Sequence, residues 1–257
     1  MTASLRAALA LAVGLLAGPL RAEPGLNLSA GLGAGFAPVY AGADEYKVGP
    51  AFFFDLAYGF GNPGNSSIGF DGTLSLTIRE TERLTFGVGL GYGGGRDSDE
   101  SDRLDGLPDI DDGAFVRAFL GVGLTGATGL EFGLATFLDG AEGVEARIGL
   151  SHAVLLSERS TMSLGLATTW LDDERADGLF GITDAQAAAS EAGLDRFDAD
   201  AGIATVDLSA TLIHGLTDRV QAIAVLGLSG VTGSVKDSPL NESRVNPSLA
   251  FGLIRSF

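Results

Sequence analysis

The chain has 257 residues, 39 of them glycine, with no cysteine, two histidines and a formal net charge of −17. The missing cysteines remove disulfides, thiolate catalysis and cysteine-ligated metals, and two histidines leave little material for a histidine-based metal or catalytic centre. The acidic excess argues against a nucleic-acid partner, whose phosphates require Lys and Arg, while a mean hydropathy of +0.27 is not that of a disordered chain.

Residues 1–22 run from Arg6 through an apolar stretch to Gly18-Pro19-Leu20-Arg21-Ala22. This is the basic, apolar, small-residue order of a secretory signal peptide, with cleavage placed after Ala22. Its removal takes away two arginines and leaves 14 basic against 33 acidic residues, a mature charge of −19. Beyond it no apolar run reaches the roughly 20 residues of a membrane helix, so a membrane-spanning form of 23–257 must cross as a closed set of strands.

The mature sequence opens with such a strand. Over 26–36, Leu26, Leu28, Ala30, Leu32, Ala34 and Phe36 alternate with Asn, Ser and Gly, the period of two that gives a strand one apolar and one small or polar face. The pattern recurs over 50–58, 68–78, 84–92, 114–124, 130–138, 144–156, 161–171, 206–214 and 220–228, and closes with 248–257. Connections alternate between short (80–83, 125–129, 157–160, 215–219) and long (37–49, 95–113, 172–201, 230–246), with 139–143 a short member of the second set. That asymmetry separates periplasmic turns from extracellular loops in outer-membrane barrels. Eleven strands are nameable, yet both ends on one rim require an even count. The parity breaks between Phe60 and Gly72, so a short strand is expected within 60–72. The expected fold is an all-β, antiparallel up-and-down transmembrane barrel of about twelve strands, one domain over 23–257. An Ala-rich segment from Asp184, with Asp184 as N-cap, predicts a short helix in the longest loop. Phe36, Tyr40, Tyr58, Tyr92, Trp170 and Phe257 fall near strand ends, where interface girdles form.

Several charges fall on the lumen parity: Asp55, Asp71, Arg117, Glu131, Glu145, Arg147 and Asp207. Internal ion pairs, a small polar lumen and a weakly cation-selective pore are all open to them. The acidic loop between Arg96 and Asp112 contains Asp97, Asp99, Glu100 and Asp102, whose alternating oxygens resemble a calcium loop but lack its glycine and distal glutamate. It reads either as a solvated loop bridged loosely by divalent cations to lipopolysaccharide or as a weak calcium site; no other cofactor is expected. His152 and His214 lie on the outer parity without ligand partners nearby in sequence. No Ser/His/Asp constellation suggests an enzyme.

The final strand, ending on Phe257, resembles the closing strand of bacterial outer-membrane barrels, whose terminal aromatic is read by the barrel-assembly machinery. The loops add a more specific resemblance. Tyr40-Ala41-Gly42-Ala43-Asp44-Glu45-Tyr46, the segment from Leu104 to Asp109 and Ile110, Gly181-Ile182-Thr183 with Gln186, and Asp237-Ser238-Pro239, in this order within a barrel, resemble the MipA/OmpV family. Arg255 and the aromatic-poor 60–67 depart from that pattern. The resemblance implies an outer-membrane barrel without enzymatic activity, and a scaffold joining a murein transglycosylase to a murein synthase. Function here is inherited by analogy, with a small-solute channel or a surface adhesin as the alternatives.

Overall fold

The computed structural model of the chain describes residues 25–61, 66–70, 72–79, 81 and 83–257. The expected signal peptide and Asp71 lie outside the described residues. Twelve antiparallel strands form one closed barrel: β1 (Gly25–Pro38), β2 (Tyr46–Gly59), β3 (Ser67–Phe70), β4 (Thr73–Arg79), β5 (Leu84–Gly93), β6 (Gly113–Gly123), β7 (Thr128–Phe137), β8 (Gly143–Ser157), β9 (Ser160–Leu171), β10 (Gly202–Gly215), β11 (Val220–Val231) and β12 (Val245–Ser256). Each strand pairs with its sequence neighbours, and β1 closes on β12 with Ala34 opposite Phe251 and Ser29 opposite Ser256. The Phe257 N–H extends that seam by donating to the Leu28 carbonyl at 3.0 Å.

Alternation decides which side chains meet lipid. Phe52, Leu90, Ile148, Leu208, Leu226 and Phe251 all stand exposed on the outer face. An apolar belt of this extent on an isolated chain is a surface for hydrocarbon, not for water. Most strands have ten or more residues, enough to cross at a tilt. On the inner parity Ala51, Phe53, Ile223, Val225 and Ala250 form a buried apolar cluster, with Ile213 and Ile254 packed against it. The inner wall is therefore apolar along β2, β11 and β12.

The count of twelve is as expected, and the short strand expected within 60–72 is β3, Ser67–Phe70, but it takes residues that the alternation had joined to the next strand. The run 68–78 is two strands, β3 and β4, with Phe70 opposite Leu74 and Ile68 opposite Leu76. The residues between Phe70 and Leu74 leave both on the even parity, so the alternation continues through the turn and conceals it. Gly72, at φ +108°, supplies a backbone conformation that other residues rarely adopt. Because β3 is short, β2 has a strand neighbour on that side only from Leu56 to Gly59 among the described residues.

Candidate functional site

The long loops of the extracellular rim fold together into a cap with its own apolar core. Val39, Tyr40 and Ala43 from the first loop meet Leu104 and Leu107 from the third, Ile182 and Leu194 from the fifth, and Leu240 from the last. A second cluster joins Leu171, Ala176, Phe180, Ala199, Ala204, Val231 and Val235. Leu104 and Ala43 are completely buried, which for loop residues requires that neighbouring loops cover them.

Two helices belong to this cap. Helix α1 (Asp173–Phe180) is capped by Asp172, whose Oδ1 accepts from the Arg175 N–H at 2.9 Å and whose Oδ2 accepts from the Val144 N–H at 2.9 Å. The one carboxylate thus ties the helix to β8. Ala176 and Phe180, four apart, share the buried face. Arg175 is buried with them, lies 3.4 Å over the Phe137 ring centroid, and donates to the Ala141 carbonyl. Burial holds its guanidinium below the usual value. Helix α2 (Asp184–Ala189) was expected, but its N-cap is Thr183, not Asp184. Thr183 accepts from the Gln186 N–H while Gln186 Oε1 accepts from the Thr183 N–H, a reciprocal capping box that needs the hydroxyl three residues before the amide. Helix α1 and Arg175 were missed; Asp172 ahead of the Ala176 and Phe180 pair is the signal that would have found them.

The motif residues singled out in the loops hold the cap together. Tyr40 Oη donates to the Leu240 carbonyl at 3.0 Å and lies 3.5 Å from Glu242. Burial first, then the Glu242 charge, pushes the Tyr40 phenol upward. Tyr40 thus belongs to the cap core and not to an interface girdle, whereas Tyr58, Tyr92 and Phe257 stand outward and exposed. Tyr46 stacks on Phe36 at 4.7 Å. Ser238 Oγ donates to the Phe180 carbonyl at 2.6 Å, Pro239 accepts from Arg103 Nε at 3.1 Å, and Asp237 pairs with Arg244 at 3.4 Å. Asp109 accepts from the Ser98 N–H and hydroxyl at 2.7 and 2.6 Å, bonds that lower its carboxyl. Gly181 ends α1 with its N–H donating to the Asp177 carbonyl. Gly106, at φ +84°, leaves no room for a β-carbon beside the Ala189 carbonyl, so the third and fifth loops meet there at backbone distance. Asp44 reaches Glu242, whose carboxyl is raised by burial first and by the Asp44 charge second.

The acidic residues considered for calcium do not act as a group. Glu100 is buried and faces Lys47 at 3.7 Å, its carboxyl raised by burial against the pull of Lys47. Asp97, Asp99 and Asp102 are exposed. Among the described residues no three carboxylates or imidazoles gather as ligands for a metal.

Below the cap, the inner wall opposite the apolar cluster is polar. Arg147 Nη1 donates to Thr169 Oγ1 at 2.9 Å and pairs with Asp207 Oδ2 at 3.1 Å, while Asp207 also accepts from Thr205 and Ser229. A buried carboxylate satisfied on both oxygens is the arrangement that makes such a pair tolerable. Arg117 donates to Ser75 at 3.3 Å and lies 5.3 Å from the Phe119 ring centroid. Glu145 is half-buried near Arg147 and Arg175. Asp55 and Glu131 sit on the lumen parity of β2 and β7, opposite Ser29 and Gly121 respectively. His152 and His214 stand outward beside the short turns, bonded to Thr128 and Ser160 at 2.8 Å each.

A family model described as MltA-interacting protein MipA matches residues 30–257. No curated protein matches the sequence. Among solved structures, the translocator domain of autotransporter NalP from Neisseria meningitidis aligns at 10% identity over 100% of this chain and 99% of that one, with a TM-score of 0.46. The anion-selective porin from Comamonas acidovorans aligns at 8% identity over 90% and 98%, with a TM-score of 0.45. The outer-membrane expressed OmpT of Vibrio cholerae aligns at 8% identity over 90% and 97%, with a TM-score of 0.40.

Proposed function

Because the chain belongs to the MltA-interacting protein MipA family and forms a closed barrel of the outer membrane, we propose that it is a non-enzymatic scaffold that tethers murein-remodelling enzymes beneath that membrane. The observation that carries this reading is the packing of the extracellular loops on one another. The loops spend their apolar residues on each other, and the space beneath holds Phe53, Ile223 and Val225 on one side and the Arg147–Asp207 network on the other. A barrel built in this way leaves its surfaces as the working parts. The short turns of the opposite rim face the periplasm, where such enzymes act.

The test is retention of a lytic murein transglycosylase and a murein synthase on the refolded, immobilised barrel, with planar-bilayer conductance measured on the same preparation. Retention that is lost when the short turns are exchanged, together with a silent bilayer, supports the scaffold. Failure to retain either enzyme overturns it. The second reading is a small-solute channel, favoured by the polar inner wall of Arg117, Arg147, Thr169 and Asp207. Reproducible single-channel openings would put it first.

A further inference from the structure

The short turns share a sequence and a geometry that the scaffold reading leaves unused. Thr81-Glu82-Arg83, Ser157-Glu158-Arg159 and Thr217-Asp218-Arg219 repeat hydroxyl, acid, arginine at three hairpins. In each described turn the hydroxyl oxygen accepts from the arginine N–H, at 3.2 Å for Thr81, 3.3 Å for Ser157 and 3.3 Å for Thr217. This side-chain turn fixes the backbone of a connection too short to fix itself. The arginine carbonyl is then held by the neighbouring hairpin: Arg83 accepts from the Gly123 N–H at 2.7 Å, Arg159 from Gly215 at 2.7 Å and Arg219 from Ser256 at 2.9 Å.

That lateral bond also sets direction. Gly123 and Gly215 occupy the lumen parity of β6 and β10, and a β-carbon built on each would lie 3.9 Å from the Arg83 β-carbon and 3.8 Å from that of Arg159. Ser256 has the same parity on β12, where it meets Ser29 inside the barrel at 3.1 Å. The three arginines therefore leave the backbone on the inner side of the wall, around the periplasmic mouth and away from lipid. All three are exposed, and none has an ion-pair partner among the described residues. Most cations of the cap are used differently: Lys47, Arg96, Arg103, Arg175, Arg196 and Arg244 each hold a carboxylate or a carbonyl.

From this placement we infer that Arg83, Arg159 and Arg219 form a carboxylate-binding ring for the murein polymer itself. Three equivalent guanidinium groups on one circle match a ligand whose anionic groups repeat, and each presents the planar fork suited to a carboxylate. Murein offers such groups along its peptide stems. The inference shares the periplasmic placement of the scaffold reading but takes a different ligand, so the two fail separately.

The experiment is co-sedimentation of the refolded full barrel in detergent micelles with insoluble murein sacculi. The unchanged protein is expected to pellet at low ionic strength and to release as salt shortens the screening length from about 30 to about 3 Å. The Arg83→Gln/Arg159→Gln/Arg219→Gln variant, checked for intact heat-modifiable migration, is expected to bind about tenfold or more weakly, since the three contacts reinforce one another. Sacculi with carboxylates blocked as amides test the unchanged protein without any variant, and are expected to lose binding equally. Failure of the unchanged protein to pellet, equal pelleting of the triple variant, or undiminished binding to blocked sacculi would each overturn the inference. So would a triple variant that keeps its sacculi but drops the murein enzymes, which would assign the arginines to an acidic protein surface.

Discussion

The two rims of the barrel use the same residue types to opposite ends. Above the membrane, loops 39–45, 94–112, 138–142, 172–201 and 232–244 contain 23 acidic and 6 basic residues, yet their organisation is set by an apolar core that draws Leu104, Ile182 and Leu240 together. Arginine there is a strut: Arg103 on Pro239, Arg96 on Leu179, Arg175 on Ala141. Below the membrane, Thr81, Thr125, Ser157 and Thr217 each clasp one turn with a hydroxyl, and three of these turns present an arginine to the medium. Burial, more than charge, separates a residue that holds the protein together from one that is free to meet something else.

That contrast breaks most severely at Leu104. Replacing this fully buried side chain by Ala should cost the cap about 2–5 kcal/mol, seen as loop proteolysis at lower protease concentration while the barrel keeps its heat-modifiable migration. Arg103→Met leaves the Pro239 carbonyl without its donor and should cost about 1–3 kcal/mol, read by hydrogen exchange in 232–244. Thr183→Ala removes half of the capping box and should cost about 1 kcal/mol, confined to 182–190. A fourth effect is one of pH. Glu100 and Glu242 both have folded-state carboxyls raised by burial, so each holds a proton more tightly in the closed cap than in an open one. Their contribution is complete at pH below the ordinary glutamate range and is lost as pH rises through the raised values. Loop protection factors should fall over that interval, and Glu100→Gln with Glu242→Gln should flatten the change. The smallest effect belongs to the other rim: Arg159→Gln should move unfolding by less than about 0.5 kcal/mol, measured by urea unfolding from vesicles. A larger loss would make the rim arginines structural and erase the distinction.

Legibility in the sequence divides along the same line. The strands are local patterns, so period two located β1, β2 and β5 to β12 and the lipid face of nearly every one. The parity break announced a short strand within 60–72, which is β3, but the turn between β3 and β4 escaped because it keeps the parity of Phe70 and Leu74. The cap escaped more completely. Its bonds join residues far apart in the chain, such as Tyr40 to Leu240 and Arg103 to Pro239, and no period marks which loop residue will find which partner. Glu100 was grouped with its neighbouring carboxylates as a calcium candidate, whereas the fold buries it against Lys47. The loop motifs that carried the family resemblance could be recognised without being understood: their geometry is that of a lid, and only the assembled barrel displays it.

The short hairpin has a consequence for the bilayer. Ser67–Phe70 spans roughly 13 Å at about 3.3 Å per residue, near half of the ~25 Å apolar band that such barrels present. Among the described strands β3 is the shortest, so hydrocarbon beside it meets the lowest stretch of paired wall. The adjoining lipids must shorten or bring their headgroups down to it, so the protein carries a thin, asymmetric collar of membrane on the flank of β2, β3 and β4.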